Sequence, residues 1–66
     1  MANAPNQLAG TNLSLTGEER SALLELLEET LRDTHVEARR TENMEFRQQL
    51  RHQEALLRSL IEKLRL

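Results

Sequence analysis

Two histidines and a group of glutamates are the side chains of this 66-residue chain that could bind a metal or transfer a proton. His35 and His52 belong to no Glu-x-x-His or His-x-x-x-His array, the spacing that brings ligands together on a helix. In the register derived below they also lie on different helices and share no face. The sequence therefore predicts no metal site, and nothing in it indicates a cofactor.

The glutamates have the spacing of a solvated acidic helix surface, formed by Glu18, Glu25, Glu28 and Glu29. General acid–base catalysis needs a carboxyl group whose surroundings perturb its protonation, and this pattern buries no such pair. The sequence also has no glycine-rich phosphate loop and no nucleophile–base pair. We therefore predict no catalytic residues and a protein that is not an enzyme.

Four arginines line one flank of the C-terminal half, and we call them the arginine ridge: Arg47, Arg51, Arg58 and Arg65. Such a ridge could contact phosphates, so one hypothesis is a dimeric nucleic-acid-binding regulator, with Arg39 and Arg40 adding charge. However, Glu54 and Glu62 occupy the same flank at the three- and four-residue spacing of helical ion pairs. The net charge of −2 and the single aromatic residue also argue against nucleic acid. A solvated, self-neutralised helix face is the favoured interpretation.

The elements that carry these side chains follow from leucines spaced by three and four residues, in two phases. That spacing puts each set on one stripe of an α-helix. The first stripe is Leu24, Leu27, Leu31, Thr34 and Ala38. The second stripe is Phe46, Leu50, Gln53, Leu57, Leu60 and Leu64. We expect an all-α fold, a coiled-coil-like antiparallel two-helix hairpin whose contact between the stripes we call the seam.

Capping signals set the helix ends. Thr16 and Glu19 form a capping box, so helix 1 is predicted over residues 17–40. Asn43 is a good N-cap for helix 2, which is predicted over residues 44–65 after a turn at 41–43. Residues 1–14 are rich in Asn, Ala, Gly and Ser and are predicted to form a disordered arm before the hairpin at 15–66. Leu8 and Leu13 of this arm are candidates for docking onto a partner.

A hairpin explains the pattern better than one long helix. Continuing the heptad of Leu24 through the break would place Glu45, His52 and Ser59 in the core, out of phase with the leucines that follow. The charge distribution also favours a hairpin, because residues 17–31 carry a net charge of −4 and residues 55–66 carry a net charge of +2. Antiparallel folding sets these two segments side by side.

Folding about Glu42 gives a register for the seam. It pairs Leu24 with Leu60, Leu27 with Leu57, Leu31 with Gln53, Thr34 with Leu50, and Ala38 with Phe46. Thr34 and Gln53 then lie in adjacent layers, close enough to hydrogen-bond. A polar pair inside a seam lowers stability but specifies register.

The remaining leucines favour self-association. A chain this short buries little apolar surface, and without cysteine it has no disulfide to compensate. We predict a homodimer, a four-helix bundle whose interface comprises Leu23, Leu26, Leu56, Leu60 and Ile61. The alternative is that these are scattered surface leucines. Val36 points away from the stripe, so either it contacts a partner or helix 1 deforms there.

The function that the sequence supports best is that of a non-enzymatic protein–protein interaction or scaffold module. A further protein partner could bind the surface that the dimer leaves free. The chain shows no signal peptide and no apolar stretch of transmembrane length, so we expect a cytoplasmic protein without membrane contact.

The segment from Leu15 to Leu66 resembles a group of short bacterial proteins of unknown function that look like helical hairpins. The resemblance is carried by Leu15-Thr16, Glu18-Glu19, Leu23-Leu24, Leu26-Leu27-Glu28, Val36-Glu37, Arg39-Arg40-Thr41-Glu42, Phe46-Arg47, Leu50 and the closing leucine repeat. The Arg-Arg-Thr-Glu turn followed by Phe46-Arg47 is its most specific part, although the group often has Asp where Glu42 stands. The resemblance implies the hairpin fold and no activity.

Overall fold

A computed structural model of the chain describes residues 10–66. Within them the chain forms two α-helices, α1 at Gly17–Arg40 and α2 at Met44–Arg65, and no strand. These are the bounds that the capping signals predict. Residues 1–9 lie outside the described residues, and with them Leu8 and most of the predicted arm. Residues 10–16 contain no helix or strand.

The capping box at the start of α1 is present in the structure. The Thr16 hydroxyl accepts a hydrogen bond from the Glu19 backbone N–H at 3.0 Å, and the Thr16 N–H donates to the Glu19 carboxylate at 2.9 Å. These two bonds satisfy donors that the first helical turn leaves without a partner. The start of α1 is therefore fixed by local sequence alone.

The reversal between the helices is held by side chains on both sides of it. The Thr41 N–H still donates to the Glu37 carbonyl at 3.0 Å, and the backbone then extends through Asn43. The Asn43 side chain caps α2 by accepting from the Phe46 N–H at 3.0 Å. Arg47 reaches back from α2 and donates to the Thr41 carbonyl at 2.5 Å. A three-residue connection closed in this way makes the helices antiparallel neighbours.

We expect Asn43→Ala to lower the free energy of unfolding by about 1 kcal/mol, because alanine cannot accept the N-cap hydrogen bond. Asn43→Asp, which keeps an acceptor at the same position, should change the stability by a few tenths at most. Urea denaturation followed by circular dichroism would measure both. Equal stability of the two variants would mean that this cap contributes nothing to the hairpin.

The seam holds a small core. The residues that are buried are Thr34 and Ala38 of α1 and Leu50, Glu54, Leu57 and Ile61 of α2. Leu24, Leu27, Leu31 and Leu64 are half-buried around them. Ala38 is fully enclosed near the turn, where the short connection keeps the helices close and leaves no room for a larger side chain. All five residues predicted for the α1 side of the seam are therefore buried or half-buried.

On α2 the structure differs from the predicted seam at every second position. Leu50, Leu57 and Leu64 face α1 as expected, but Phe46, Gln53 and Leu60 are exposed. Their places are taken by the residues one position further along the chain, Arg47, Glu54 and Ile61. The predicted hydrogen bond between Thr34 and Gln53 is thus wrong. The pairs that place Gln53 opposite Leu31, Leu60 opposite Leu24 and Phe46 opposite Ala38 are wrong as well. Helix α2 is rotated so that Glu54, rather than Gln53, enters the seam.

Candidate interaction surface

One face of the hairpin is charged, and two side-chain contacts join the helices across it. His35 of α1 lies 3.2 Å from the Glu54 carboxylate of α2, and Glu28 of α1 pairs with Arg65 of α2. Arg51 and Arg58 lie on the same flank of α2. We call this set the charged face: Glu28, His35, Arg51, Glu54, Arg58 and Arg65.

Glu54 is the centre of the charged face, with only 7% of its side chain exposed. Arg51 donates to both carboxylate oxygens, at 3.0 and 3.2 Å, while His35 lies at 3.2 Å and Arg58 at 3.8 Å. A buried carboxylate is costly unless it is paired and hydrogen-bonded, and here three cationic or polar side chains enclose it. This explains how a charged residue can occupy a seam position that the hydrophobic pattern assigned to its neighbour.

The arginine ridge is largely engaged by the chain's own acceptors. Arg51 and Arg58 bind Glu54, as the sequence predicts. Arg65 differs from the prediction, since it pairs with Glu28 across the hairpin and not with Glu62. Arg47 donates to the turn, and its Nε is buried without a hydrogen-bond partner, so this side chain lies against the protein. Three of the four ridge arginines are therefore paired with carboxylates of the chain itself.

The opposite face of the hairpin is apolar. With about 100° of rotation per residue, Leu56 and Leu60 lie on the side of α2 away from Arg51 and Arg58. Leu26 is 60% exposed, Leu56 53% and Leu60 48%. Leu23 is half-buried next to them on α1. We call this set the apolar face: Leu23, Leu26, Leu56 and Leu60.

The apolar face contains Leu23, Leu26, Leu56 and Leu60, four of the five residues that the sequence proposes for a dimer interface. Ile61 differs, because it is buried in the seam and is not available to a partner. Toward the turn the same flank of α2 continues as Gln53 and Phe46, both exposed and neither charged. The uncharged surface thus extends beyond the leucines.

A segment that sequence reasoning assigned to the arm borders this face. Residues 11–13 lie over the open end of the hairpin, which is the end opposite the turn. They line a cavity of about 700 Å³ together with Leu23, Leu27, Leu60, Lys63 and Leu64. We call residues 11–13 the strap. Leu13 of the strap is one of the two predicted docking candidates, but the strap residues have no helical or strand periodicity that would predict their position.

The other residues considered for chemistry do not converge. His52 is exposed on α2 and is not a neighbour of His35 in any hydrogen bond or ion pair of the described chain. No three His, Asp or Glu side chains within residues 10–66 are arranged to hold a metal ion. Neither described helix is long and apolar enough to cross a bilayer.

Val36 is exposed on a helix that runs through it without interruption. Helix 1 therefore does not deform there, which removes one of the two explanations that the sequence left open.

Comparison of the chain with protein-family models, with curated proteins and with solved structures finds no match. The resemblance to uncharacterised bacterial hairpin proteins stays a prediction. What the described residues define is an antiparallel helical hairpin with one charged and one apolar face.

Proposed function

We propose that this chain is a non-enzymatic protein–protein interaction or scaffold module that works as a homodimer. In this proposal the apolar faces of two hairpins pack together to form a four-helix bundle. The observation that carries it is the group of half-exposed leucines on a hairpin whose other face is satisfied by its own ion pairs.

The size of the core supports this proposal. Among residues 10–66 the buried apolar side chains are limited to Ala38, Leu50, Leu57 and Ile61. A single core in a chain of this length rarely supplies more than about 3–5 kcal/mol of stability. Burying a leucine completely adds about 1.5–3 kcal/mol. Leu26, Leu56 and Leu60 are about half exposed, so covering all three would add about 2–5 kcal/mol per copy, which is comparable to the contribution of the seam.

The chemistry of the charged face supports an interaction module over an enzyme. Glu54, the buried carboxylate, is surrounded by Arg51, Arg58 and His35 and has no open side toward a substrate. Its contacts are those of a structural ion-pair cluster.

The nucleic-acid-binding alternative receives less support, because the ridge arginines are held by Glu54, Glu28 and the turn. Retention on immobilised DNA that falls steeply with salt would revive this alternative.

The dimer is tested with Leu56→Lys. We expect this variant to raise the dimer dissociation constant about 100-fold or more. It removes a buried leucine worth about 1.5–3 kcal/mol and adds a charge to the interface, and each 1.4 kcal/mol is about a factor of ten. Sedimentation equilibrium over a concentration series measures the constant, and circular dichroism checks that the helices remain.

The matched control is Ser59→Lys, which adds the same charge to α2 at an exposed position that lines a groove with Glu28, Arg58 and Arg65 of the charged face. Its dissociation constant should stay within about threefold of the wild type, since an exposed substitution outside the contact changes energies by about 0.5 kcal/mol or less. A wild-type chain that stays monomeric at millimolar concentration would contradict the dimer. Equal effects of the two lysines would place the contact on another surface.

A further inference from the structure

The strap lies where a symmetric dimer would have to form. In a two-fold dimer the same patch of both copies meets itself. The apolar face occupies the open half of the hairpin, so the two open ends must come together. The strap spans this end from Leu23 and Leu27 of α1 to Leu60 and Leu64 of α2, and it cannot remain outside the contact.

The composition of the strap suits an interface. Residues 10–15 contain no charged side chain, and interface cores are depleted in charge. Leu15 is half-buried and the capping box fixes Thr16, so the chain is anchored directly behind the strap. Leu13, by contrast, is 69% exposed, so its side chain buries little area against its own hairpin.

We infer that the strap is part of the dimer contact and that Leu13 packs against the apolar face of a second copy. This inference rests on the proposed homodimer. The cavity of about 700 Å³ beneath the strap is lined chiefly by leucines, and apolar surface of this kind gains by being covered with apolar side chains. Leu13 extends the apolar face of each copy, so the second copy meets a continuous row from Leu13 to Leu56.

Leu13→Ala tests the energetic part of the inference. It should raise the dimer dissociation constant about tenfold, whereas Leu13→Met, which keeps an apolar side chain of similar volume, should stay within about threefold. Val36→Ala, an apolar truncation on the far side of α1, is the matched control and should leave the constant unchanged. Sedimentation equilibrium gives all three values.

Proximity is tested with a spin label, which is straightforward because the sequence has no cysteine. A Leu13→Cys chain carrying the label is mixed with an equal amount of ¹⁵N-labelled wild type. Line broadening in the ¹⁵N copy then reports only contacts between copies. We expect line broadening of the amide signals of Leu26, Leu56 and Leu60. When a Val36→Cys chain carries the label instead, these signals should not broaden.

The outcomes separate this inference from the proposal on which it rests. A dimer that Leu56→Lys dissociates but Leu13→Ala leaves unchanged, with no broadening from the label, overturns the strap contact alone. Tighter association of Leu13→Ala also overturns it, because the strap would then compete with the second copy. A wild type that is monomeric throughout overturns the dimer and the strap contact together.

Discussion

Glu54→Lys is expected to destabilise the hairpin by about 3–5 kcal/mol, the effect of leaving a buried charge without compensation. The substitution removes the acceptor that Arg51, Arg58 and His35 share and sets a third positive charge beside the two arginines. A two-helix chain of this size has little more stability than that to lose. The variant should therefore be mostly unfolded at 25 °C by circular dichroism.

The control for this prediction is the adjacent residue. Gln53 is exposed, so Gln53→Lys should change the free energy of unfolding by about 0.5 kcal/mol or less. The seam derived from sequence makes the opposite prediction, since it puts Gln53 inside and Glu54 on the surface. Urea titrations of the two variants decide between these rotations of α2. A larger loss for Gln53→Lys would contradict the structure.

Leu57→Ala is expected to cost about 2–5 kcal/mol, the range for truncating a buried leucine whose surroundings collapse only in part. Leu57 is buried in the centre of the seam and is one of very few enclosed apolar side chains in the described part of the chain. For a domain of this length each 1 kcal/mol lowers Tm by about 4–8 °C. Thermal melts at one fixed protein concentration should show a fall in Tm of about 8 °C or more.

Leu66→Ala is the matched control, because it makes the same chemical change in a leucine that is 97% exposed. Its Tm should stay close to that of the wild type. Similar losses for the two variants would mean that Leu57 is not enclosed as the structure describes. Neither substitution changes a residue of the apolar face. A difference in Tm between the two variants therefore reports the stability of the hairpin and not a change in self-association.

The ends of the helices could be predicted from short segments of sequence. Thr16 and Asn43 make their capping hydrogen bonds to residues three positions ahead, so the short sequence around each one was enough to locate it. The α1 side of the seam was equally accessible, because Leu24, Leu27 and Leu31 continue by steps of three and four residues into Thr34 and Ala38.

Helix α2 was harder, because its apolar arc is wide. Leu60 and Ile61 are adjacent and both apolar, so spacing alone cannot say which of them faces α1. Gln53 was assigned to the seam because it continues the three- and four-residue steps between Leu50 and Leu57, but Glu54 fits the same steps equally well. Spacing could not identify Glu54, because its contact with His35 of the other helix is invisible in the local pattern.

By itself, the sequence determined two helices, their limits, the reversal between them and the side of α1 that packs, since each depends on interactions within a few residues. Only the tertiary structure decided the rotation of α2, the burial of Glu54, the partner of Arg65 and the position of the strap. Those depend on residues far apart in the chain, such as Glu28, which pairs with Arg65, and residues 11–13, which line one cavity with Leu60. Periodicity says which side chains avoid water, but the charges and volumes on the facing helix decide which of them are actually enclosed.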